Sequence, residues 1–244
     1  MIILLFLLLT SCSLFNFETG ETTRYATIYG IENYAYVSGL NYCVEDAQSL
    51  SSFLNNNNFS VKMKTNNLAT KLNISNDIVS TVEKLKPEDI YVFYFSGHGL
   101  RTNDISYIVP YDATLSDMNS FISEKELYNW LKNSKSEKVL LIFDKCFSGA
   151  YVAYRRFFVM TASMEGEESI EIPDLKHGLF TYYLLKGLEN KKADINLDGN
   201  VTFSELYYFT RSYVTNYFFI NSNGIHTNQN PLFLGMTNVE MIFY

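Results

Sequence analysis

The sequence predicts an α/β domain built on a mostly parallel β-sheet with helices on both faces. Short apolar segments rich in β-branched and aromatic residues alternate along the chain with segments of helical periodicity. This alternation favours parallel pairing, because each crossover helix returns the chain to the same end of the sheet. With 244 residues and 47% hydrophobic content, the chain is large enough for one domain whose sheet is buried on both faces.

The predicted elements follow from this pattern in order. Strands are predicted at residues 25–31, 59–64, 90–95, 139–143 and 157–161, and helices at residues 44–54, 77–85 and 124–133. A sheet of about six strands is therefore expected.

A histidine follows the third predicted strand directly. Residues 90–95 lead into Ser96-Gly97-His98-Gly99, and ligands bind at the carboxyl ends of strands in open α/β sheets. The flanking glycines allow a tight turn and leave the imidazole accessible. Taken alone, such a histidine is more often a structural, hydrogen-bonded residue, so a nucleophile nearby is needed to indicate catalysis.

The next predicted strand supplies a candidate nucleophile. Residues 139–143 lead into Asp144-Lys145-Cys146. If the two strands are neighbours, His98 and Cys146 meet at the same edge of the sheet as a base and a nucleophile. A cysteine on a polar turn beside an imidazole is expected to have a stabilised thiolate. The pair predicts a cysteine-dependent enzyme.

Several segments resemble the caspase and metacaspase family of cysteine peptidases, on the prokaryotic metacaspase-like side. The interval from His98 to Cys146 is close to the roughly 50 residues typical of caspases. The similar segments are DKCFSG at residues 144–149 and, in family order, residues 23–34, 40–54, 157–163 and 177–188. The resemblance implies the caspase-haemoglobinase fold, Cys146 as the nucleophile and His98 as the residue that protonates the leaving amine. No third triad member is evident.

The resemblance also implies a pocket for a basic side chain, formed by Cys43, Asp46, Ser96 and Asp144. Two carboxylates that converge on one cavity repel each other until a cation neutralises them, which favours Arg or Lys at P1 and rejects Asp. The alternatives are a favourable charge at a helix N-terminus for Asp46 and a structural hydrogen bond for Asp144. The backbone N–H groups of Gly99 and Cys146 are the candidate oxyanion donors, although turn geometry explains Gly99 equally well.

A second motif, DINLDGNVTFSE at residues 194–205, matches the calcium-binding loop of EF-hands position by position. The predicted Ca²⁺ ligands are Asp194, Asn196, Asp198, Asn200, Thr202 and Glu205. Both flanking segments have helical periodicity, as an EF-hand requires. The alternative is a capped loop between helices that binds no ion.

The amino terminus predicts export. Residues 1–11 resemble a lipoprotein signal peptide, Cys12 its lipidation site and residues 12–23 a tether, which leaves residues 24–244 for the peptidase-like domain. No basic residue precedes Arg24, so a plain signal peptide, an uncleaved anchor or a misassigned start codon stays open. The expected location is the bacterial cell envelope, periplasmic or surface, with a lipid in the membrane.

The net charge of −7 argues against nucleic acid as a partner. The leading hypothesis is a calcium-binding cysteine endopeptidase acting on peptides or proteins with a basic P1 residue. A clan peptidase with another P1 preference and a non-catalytic surface lipoprotein are the alternatives, and no oligomeric state is predicted.

Overall fold

The computed structural model describes residues 21–146, 157–220, 226–235 and 243. The helices are α1 (Cys43–Asn56), α2 (Lys71–Val82), α3 (Glu124–Leu131), α4 (Leu179–Leu188) and α5 (Phe203–Thr215). The strands in this part of the chain are β1 (Arg24–Gly30), β2 (Phe59–Thr65), β3 (Ile90–Ser96), β4 (Gly99–Thr102), β5 (Ile105–Ile108), β6 (Ile122–Ser123), β7 (Lys138–Asp144), β8 (Phe158–Thr161), β9 (Glu171–Ile172), β10 (His177–Gly178), β11 (Phe219–Ile220), β12 (His226–Thr227) and β13 (Leu232–Leu234).

The described elements form a central six-stranded sheet in the order β13-β8-β7-β3-β1-β2. Neighbouring strands from β8 to β2 pair in parallel, and β13 pairs antiparallel to β8. The predicted mostly parallel sheet of about six strands is confirmed, and the five predicted strands agree with the observed ones to within one residue at each end. The sixth strand, β13, has only three residues, too few to show a period.

Both faces of the sheet are buried by helices. Every residue of β3 is buried, and its side chains alternate between two apolar clusters. Val92 and Tyr94 pack on the side that carries α1, α4 and α5, while Tyr91 and Phe93 pack on the side that carries α2 and α3. This two-sided burial explains why the strand is almost continuously apolar.

The start of α2 is where the predicted and observed boundaries of a helix differ most. The helix begins at Lys71, six residues before the predicted start, and Thr70 caps it by accepting a hydrogen bond from the Asn73 N–H at 3.2 Å. Polar residues at positions 73, 75 and 76 obscure the apolar spacing in the first turns. Buried Ile74 is the inward-facing residue there, and one apolar position does not make a period.

The strands β3 and β7 lie side by side in parallel, and this pairing positions the candidate site. Their register pairs Ser96 with Asp144, and the Gly97 N–H donates to the Asp144 carbonyl at 3.1 Å. His98 and Cys146 each follow this last pair by two residues. The chain then continues from His98 into a small antiparallel sheet of β4, β5 and β6, which the sequence did not predict.

The predicted signal peptide and Cys12 lie outside the described residues, so export and lipidation stay predictions. None of the helices in the described part is long and apolar enough to span a bilayer. The loop at residues 194–205 connects the region after α4 to the start of α5, as the helical flanks predicted.

Gly30, at the end of β1, sets how closely the sheet approaches the first turn of α1. A Cβ added at Gly30 would overlap the Cys43 carbonyl oxygen and would lie 2.7 Å from the Ala47 Cβ. The first of these atoms is backbone, so the contact cannot be relieved by a side-chain rotation. Gly30 therefore allows the helix that carries Cys43 and Asp46 to start against the sheet.

We expect Gly30→Ala to lower the free energy of unfolding by about 1–3 kcal/mol, as overpacking does in a tightly packed interior. For a domain of this size that lowers the melting temperature by several degrees. Thermal unfolding measures the effect, and Ser52→Ala on the exposed side of α1 is the control. Equal melting temperatures for the two variants would show that the contact has no energetic weight.

Candidate active site

His98 and Cys146 line the wall of one cavity of about 580 Å³ at the carboxyl edge of the central sheet. The described lining residues are Leu40, Cys43, Asp46, Ser96, Gly97, His98, Asp144, Lys145, Cys146, Gly166, Glu167, Glu168, Ser169, Ile170, Glu171, Gly178 and Asn228. All four residues of the predicted P1 pocket are among them. The structure therefore brings the predicted dyad and the predicted pocket residues together.

The His98 ring is held by two contacts from the segment after β1. Its Nε2 lies 2.9 Å from the Ser38 carbonyl oxygen, and because a carbonyl can only accept, Nε2 carries the proton. The other ring nitrogen, Nδ1, is then the one available as a base. The Tyr34 ring packs 5.0 Å from the imidazole, between centroids, and its hydroxyl accepts the His98 backbone N–H at 2.7 Å.

Ser38 thus supplies the orienting contact that sequence reasoning did not find. The contact uses only a backbone carbonyl, which every residue has. No side-chain pattern could have indicated it.

Cys146 is half-buried, and its surroundings do not stabilise a thiolate. Burial raises the pKa of the thiol, and the charges of Glu168 and Asp144 raise it further. A hydrogen bond from the Ser169 backbone N–H and the charge of Lys145 oppose this rise without cancelling it. The expectation of a stabilised thiolate was wrong, because burial of the thiol, the largest cause, and the neighbouring carboxylates both raise its pKa. If Cys146 acts as a nucleophile, its thiol would have to lose the proton to a base, and His98 is the candidate.

Lys145 is the buried residue next to the candidate nucleophile, and sequence reasoning did not single it out. Its ammonium donates to the Ser106 hydroxyl at 3.0 Å and to the Cys146 carbonyl at 3.4 Å. Burial lowers its pKa to about 7. The side chain ties β5 to the loop after β7 and so helps to fix the backbone of Cys146.

Gly99 packs directly against that same backbone. A Cβ added at Gly99 would overlap the Cys146 carbonyl oxygen and would lie 2.9 Å from Lys145 Nζ. Close approach of two backbones therefore requires a glycine at this position. The role of Gly99 and Cys146 as oxyanion donors stays a prediction.

Asp46 is buried at the start of α1 and accepts several hydrogen bonds. Its Oδ1 lies 2.7 Å from His177 Nδ1, and its Oδ2 accepts from the Gly178 N–H at 3.2 Å and from the Ser96 hydroxyl at 3.3 Å. Burial raises the pKa of Asp46 to about 7, with a further rise from the charge of Asp144, although the His177 hydrogen bond opposes it. The carboxyl group is thus poised between its charged and neutral forms near neutral pH.

Asp144, at the end of β7, is the second buried carboxylate. Its Oδ2 accepts from the Thr181 hydroxyl at 2.6 Å and from the Thr181 N–H at 3.2 Å, and its Oδ1 accepts from the Ser169 hydroxyl. Burial raises the pKa of Asp144, whereas these hydrogen bonds lower it, and the net direction is upward. The structural hydrogen bond considered as an alternative role is present, and its donors in the described part of the chain are the neutral groups of Ser169 and Thr181.

The two carboxylates converge on Gly178. A Cβ added there would lie 2.6 Å from Asp144 Oδ2 and 3.0 Å from Asp46 Oδ2. Among the described residues, the hydrogen-bond donors to these two carboxylates are neutral groups, apart from His177 beside Asp46. A cationic side chain that enters the cavity would therefore gain from both carboxylates.

Three further carboxylates line the cavity and were not predicted. Glu167, Glu168 and Glu171 come from the segment between β8 and β10. The Asn41 N–H donates to Glu171 Oε1 at 3.0 Å, and Cys43 Sγ lies 3.9 Å from the same oxygen. Burial raises the pKa of Glu171. The acidic segment EGEESIE, which contains these three residues, could have indicated an acidic site. Such a segment is equally typical of a solvated loop.

The loop at residues 194–205 has oxygen donors of the type that calcium prefers. In the structure these oxygens accept backbone N–H groups: Asp194 Oδ2 from Gly199 at 2.9 Å, and Glu205 Oε1 from Ile195 at 3.2 Å. Glu205 also forms a capping box with Thr202 at the start of α5. Among the described residues, no group of three or more His, Cys, Asp or Glu side chains is arranged to hold a metal ion.

We expect Asp46 to make folding less favourable as pH rises from about 4 to about 7. Its folded-state pKa of about 7 exceeds the unfolded value of about 3.9. Between these values the folded chain keeps a proton that the unfolded chain has lost, so the free energy of unfolding falls as pH rises. Asp46→Asn removes this contribution.

Chemical denaturation of the parent and of Asp46→Asn across this pH range tests the expectation. The stability of the variant relative to the parent should increase with pH, whereas the exposed-site control Asp174→Asn should show a smaller change. A difference between Asp46→Asn and the parent that does not depend on pH would contradict the assigned cause.

Comparison with known proteins identifies the family. The family model described as Caspase domain matches residues 23–237. Metacaspase-1A from Aspergillus terreus is 26% identical over 160 residues, a match that covers 56% of this chain and 39% of that protein. The chain therefore spans well under half of the length of that relative.

A solved structure agrees with the fold. The crystal structure of protein GSU0716 from Geobacter sulfurreducens superposes with a TM-score of 0.67 at 17% identity, over 88% of this chain and 95% of that one. Together with the sheet order, this confirms the caspase-haemoglobinase fold predicted from the resemblance. With the Caspase domain match covering most of its length, the chain belongs to the caspase and metacaspase family of cysteine peptidases.

Proposed function

We propose that this protein is a cysteine endopeptidase that cleaves peptide bonds after Arg or Lys, with Cys146 as the nucleophile and His98 as the general acid and base. One observation carries the proposal. A single cavity has His98 and Cys146 on its wall and two buried, converging carboxylates, Asp46 and Asp144, among its lining residues.

The proposed reaction follows from the arrangement around His98. Cys146 Sγ attacks the carbonyl carbon of the scissile bond while its proton passes to His98 Nδ1, and the carbonyl oxygen becomes an oxyanion. His98 then returns the proton to the leaving nitrogen, the C–N bond breaks, and a thioester to Cys146 remains. Water, deprotonated by His98, hydrolyses the thioester and regenerates the thiol.

The basic P1 preference is supported by electrostatics. In a buried site the repulsion between Asp46 and Asp144 is weakly screened, and an ammonium or guanidinium group relieves it. A P1 aspartate would add a third negative charge. A P1 cation beside Asp144 would also offset that residue's effect on the thiol pKa, so binding the correct side chain would favour deprotonation of Cys146.

Fluorogenic peptides that differ only at P1 test the proposal. We expect Arg and Lys substrates to be cleaved at least about a hundredfold faster than Asn and Asp substrates, and Cys146→Ala and His98→Ala to lose this activity. Removing one partner of a buried charge pair costs about 3–5 kcal/mol, so Asp144→Asn should lose most of the preference for Arg. Asp174→Asn, at an exposed site, is the matched control.

The other outcomes have distinct meanings. Faster cleavage after Asn or Asp would indicate a clan peptidase with a different pocket. Full activity in Cys146→Ala would remove the catalytic assignment, and no cleavage of any peptide by the folded parent would favour the non-catalytic scaffold.

We further propose that the loop at residues 194–205 binds calcium and stabilises the junction between α4 and α5. The support is the match of the sequence to an EF-hand loop, which places Asp194, Asp198 and Glu205 at ligand positions of one short connection. Binding would require Glu205 to share or exchange its backbone N–H partners for the ion. The bound ion would then stabilise the fold and take no part in catalysis, because residues 194–205 do not line the cavity that contains His98 and Cys146.

Thermal unfolding with calcium and with chelator tests this proposal. We expect calcium to raise the melting temperature of the parent, since a ligand bound only by the folded state stabilises it by about 2.7 kcal/mol at a hundredfold excess over its Kd. Glu205→Gln keeps a residue suited to the capping box but loses a charge, so it should lose the response.

Glu126→Gln is the matched control, because Glu126 forms the same capping box with Ser123 at the start of α3. It should respond to calcium like the parent. An equal response in Glu205→Gln, or a calorimetric titration without binding at millimolar calcium, would refute calcium binding at this loop.

A further inference from the structure

We propose that a second, apolar cavity beside His98 binds an apolar side chain at P1′, the residue that follows the scissile bond. This inference rests on the proposed peptidase function. It concerns the other side of the cleaved bond, so the two can fail separately.

The second cavity measures about 370 Å³ and adjoins the first at the histidine. Its described lining residues are Tyr36, Val37, Ser38, His98, Gly99, Leu100, Val109, Leu115 and Phe121. Of the described lining residues of the two cavities, only His98 belongs to both. The imidazole ring that would protonate the leaving amine therefore lies in the walls of both cavities.

This shared position fixes the direction of a bound substrate. With the P1 side chain between Asp46 and Asp144, the carbonyl lies at Cys146 and the leaving nitrogen must lie within reach of His98. The chain beyond that nitrogen leaves the first cavity past His98. The second cavity is the recess that it meets there.

The chemistry of the second cavity selects an apolar side chain. None of the described residues that line it carries a charge at neutral pH apart from His98, if protonated. Burying a charged P1′ residue there would be costly without a partner. The first cavity, with five carboxylates on its wall, has the opposite character.

The apolar wall has a fixed base and an exposed rim. Val109 and Phe121 are buried in a small apolar cluster, against which Val37 and Leu100 pack. At the rim, Tyr36 is 68% exposed and Leu115 is 72% exposed. An occupant of this cavity that adjoins the scissile bond would cover these two apolar side chains and remove their surface from water.

The Ser38 segment adds a structural link between the cavity and catalysis. Ser38 holds His98 through its carbonyl, and its neighbours Tyr36 and Val37 line the apolar cavity. A P1′ side chain bound in this cavity would therefore pack against the same short segment that orients the imidazole.

Internally quenched peptides with Arg at P1 and Leu, Phe, Ser or Asp at P1′ test the proposal. We expect kcat/KM for Leu and Phe to exceed that for Ser by about tenfold, with Asp lowest. Leu115→Ser should reduce the ratio of kcat/KM for the Leu peptide to that for the Ser peptide at least about threefold, because it removes apolar surface that would contact the P1′ side chain. Leu115→Met should restore the ratio.

Leu72→Ser is the matched control, because Leu72 is 66% exposed on α2 and does not line either cavity. Cleavage after Arg at equal rates for all four P1′ residues would overturn the P1′ assignment and leave the proposed function standing. An unchanged ratio in Leu115→Ser would overturn it as well. If none of the peptides is cleaved, the proposed function fails and the P1′ assignment fails with it.

Discussion

The pairing of β3 with β7 is the constraint on which the candidate site depends. Its parallel register places Ser96 beside Asp144, and the Gly97 N–H bonds to the Asp144 carbonyl at the point where both strands end. A slip of one residue would turn each side chain of a strand to the opposite face of the sheet. β3 is buried along its whole length and β7 from Val139 onward, so the hydrophobic core holds the ends of the two strands that lead to His98 and Cys146.

Burial then decides the electrostatics at this edge. The same low-dielectric surroundings raise the pKa of Cys146 and bring that of Asp46 to about 7. The resting site therefore holds less charge than its residue types indicate, with a protonated thiol and a carboxyl group near its titration point. A cationic substrate group would stabilise the charged forms of the carboxylates. Selectivity and activation of the nucleophile would in this way have one electrostatic cause.

The sequence predicted what depends on side-chain type and period. Five strands and the placement of His98 and Cys146 on the wall of one cavity follow from apolar runs and strand ends. The grouping of Cys43, Asp46, Ser96 and Asp144 follows from the resemblance to caspases and metacaspases. The start of α2 and the three-residue β13 were missed because neither shows enough of a period. The short antiparallel strands β4 and β5 were not predicted, for the same reason.

Other parts of the site depend on three-dimensional proximity. The Ser38 contact to His98 uses a backbone atom, which has no sequence signal. Burial of the Cys146 thiol and the approach of Glu168 are produced by the fold, so the direction of that pKa shift could not be predicted from the turn motif. His177 lies 131 residues after Asp46 in the sequence. No local pattern could therefore indicate the contact between the two side chains.

Covalent labelling tests most directly whether the dyad and the carboxylates form one peptidase site. Cys43 and Cys146 line the same cavity and neither is in a disulfide, so each is the internal control for the other. Mass spectrometry after treatment with a peptidyl-arginine acyloxymethyl ketone should locate the adduct on Cys146, with little adduct from the matching aspartate probe and little in His98→Ala. An adduct on Cys43 instead, or equal labelling by the two probes, would contradict this account.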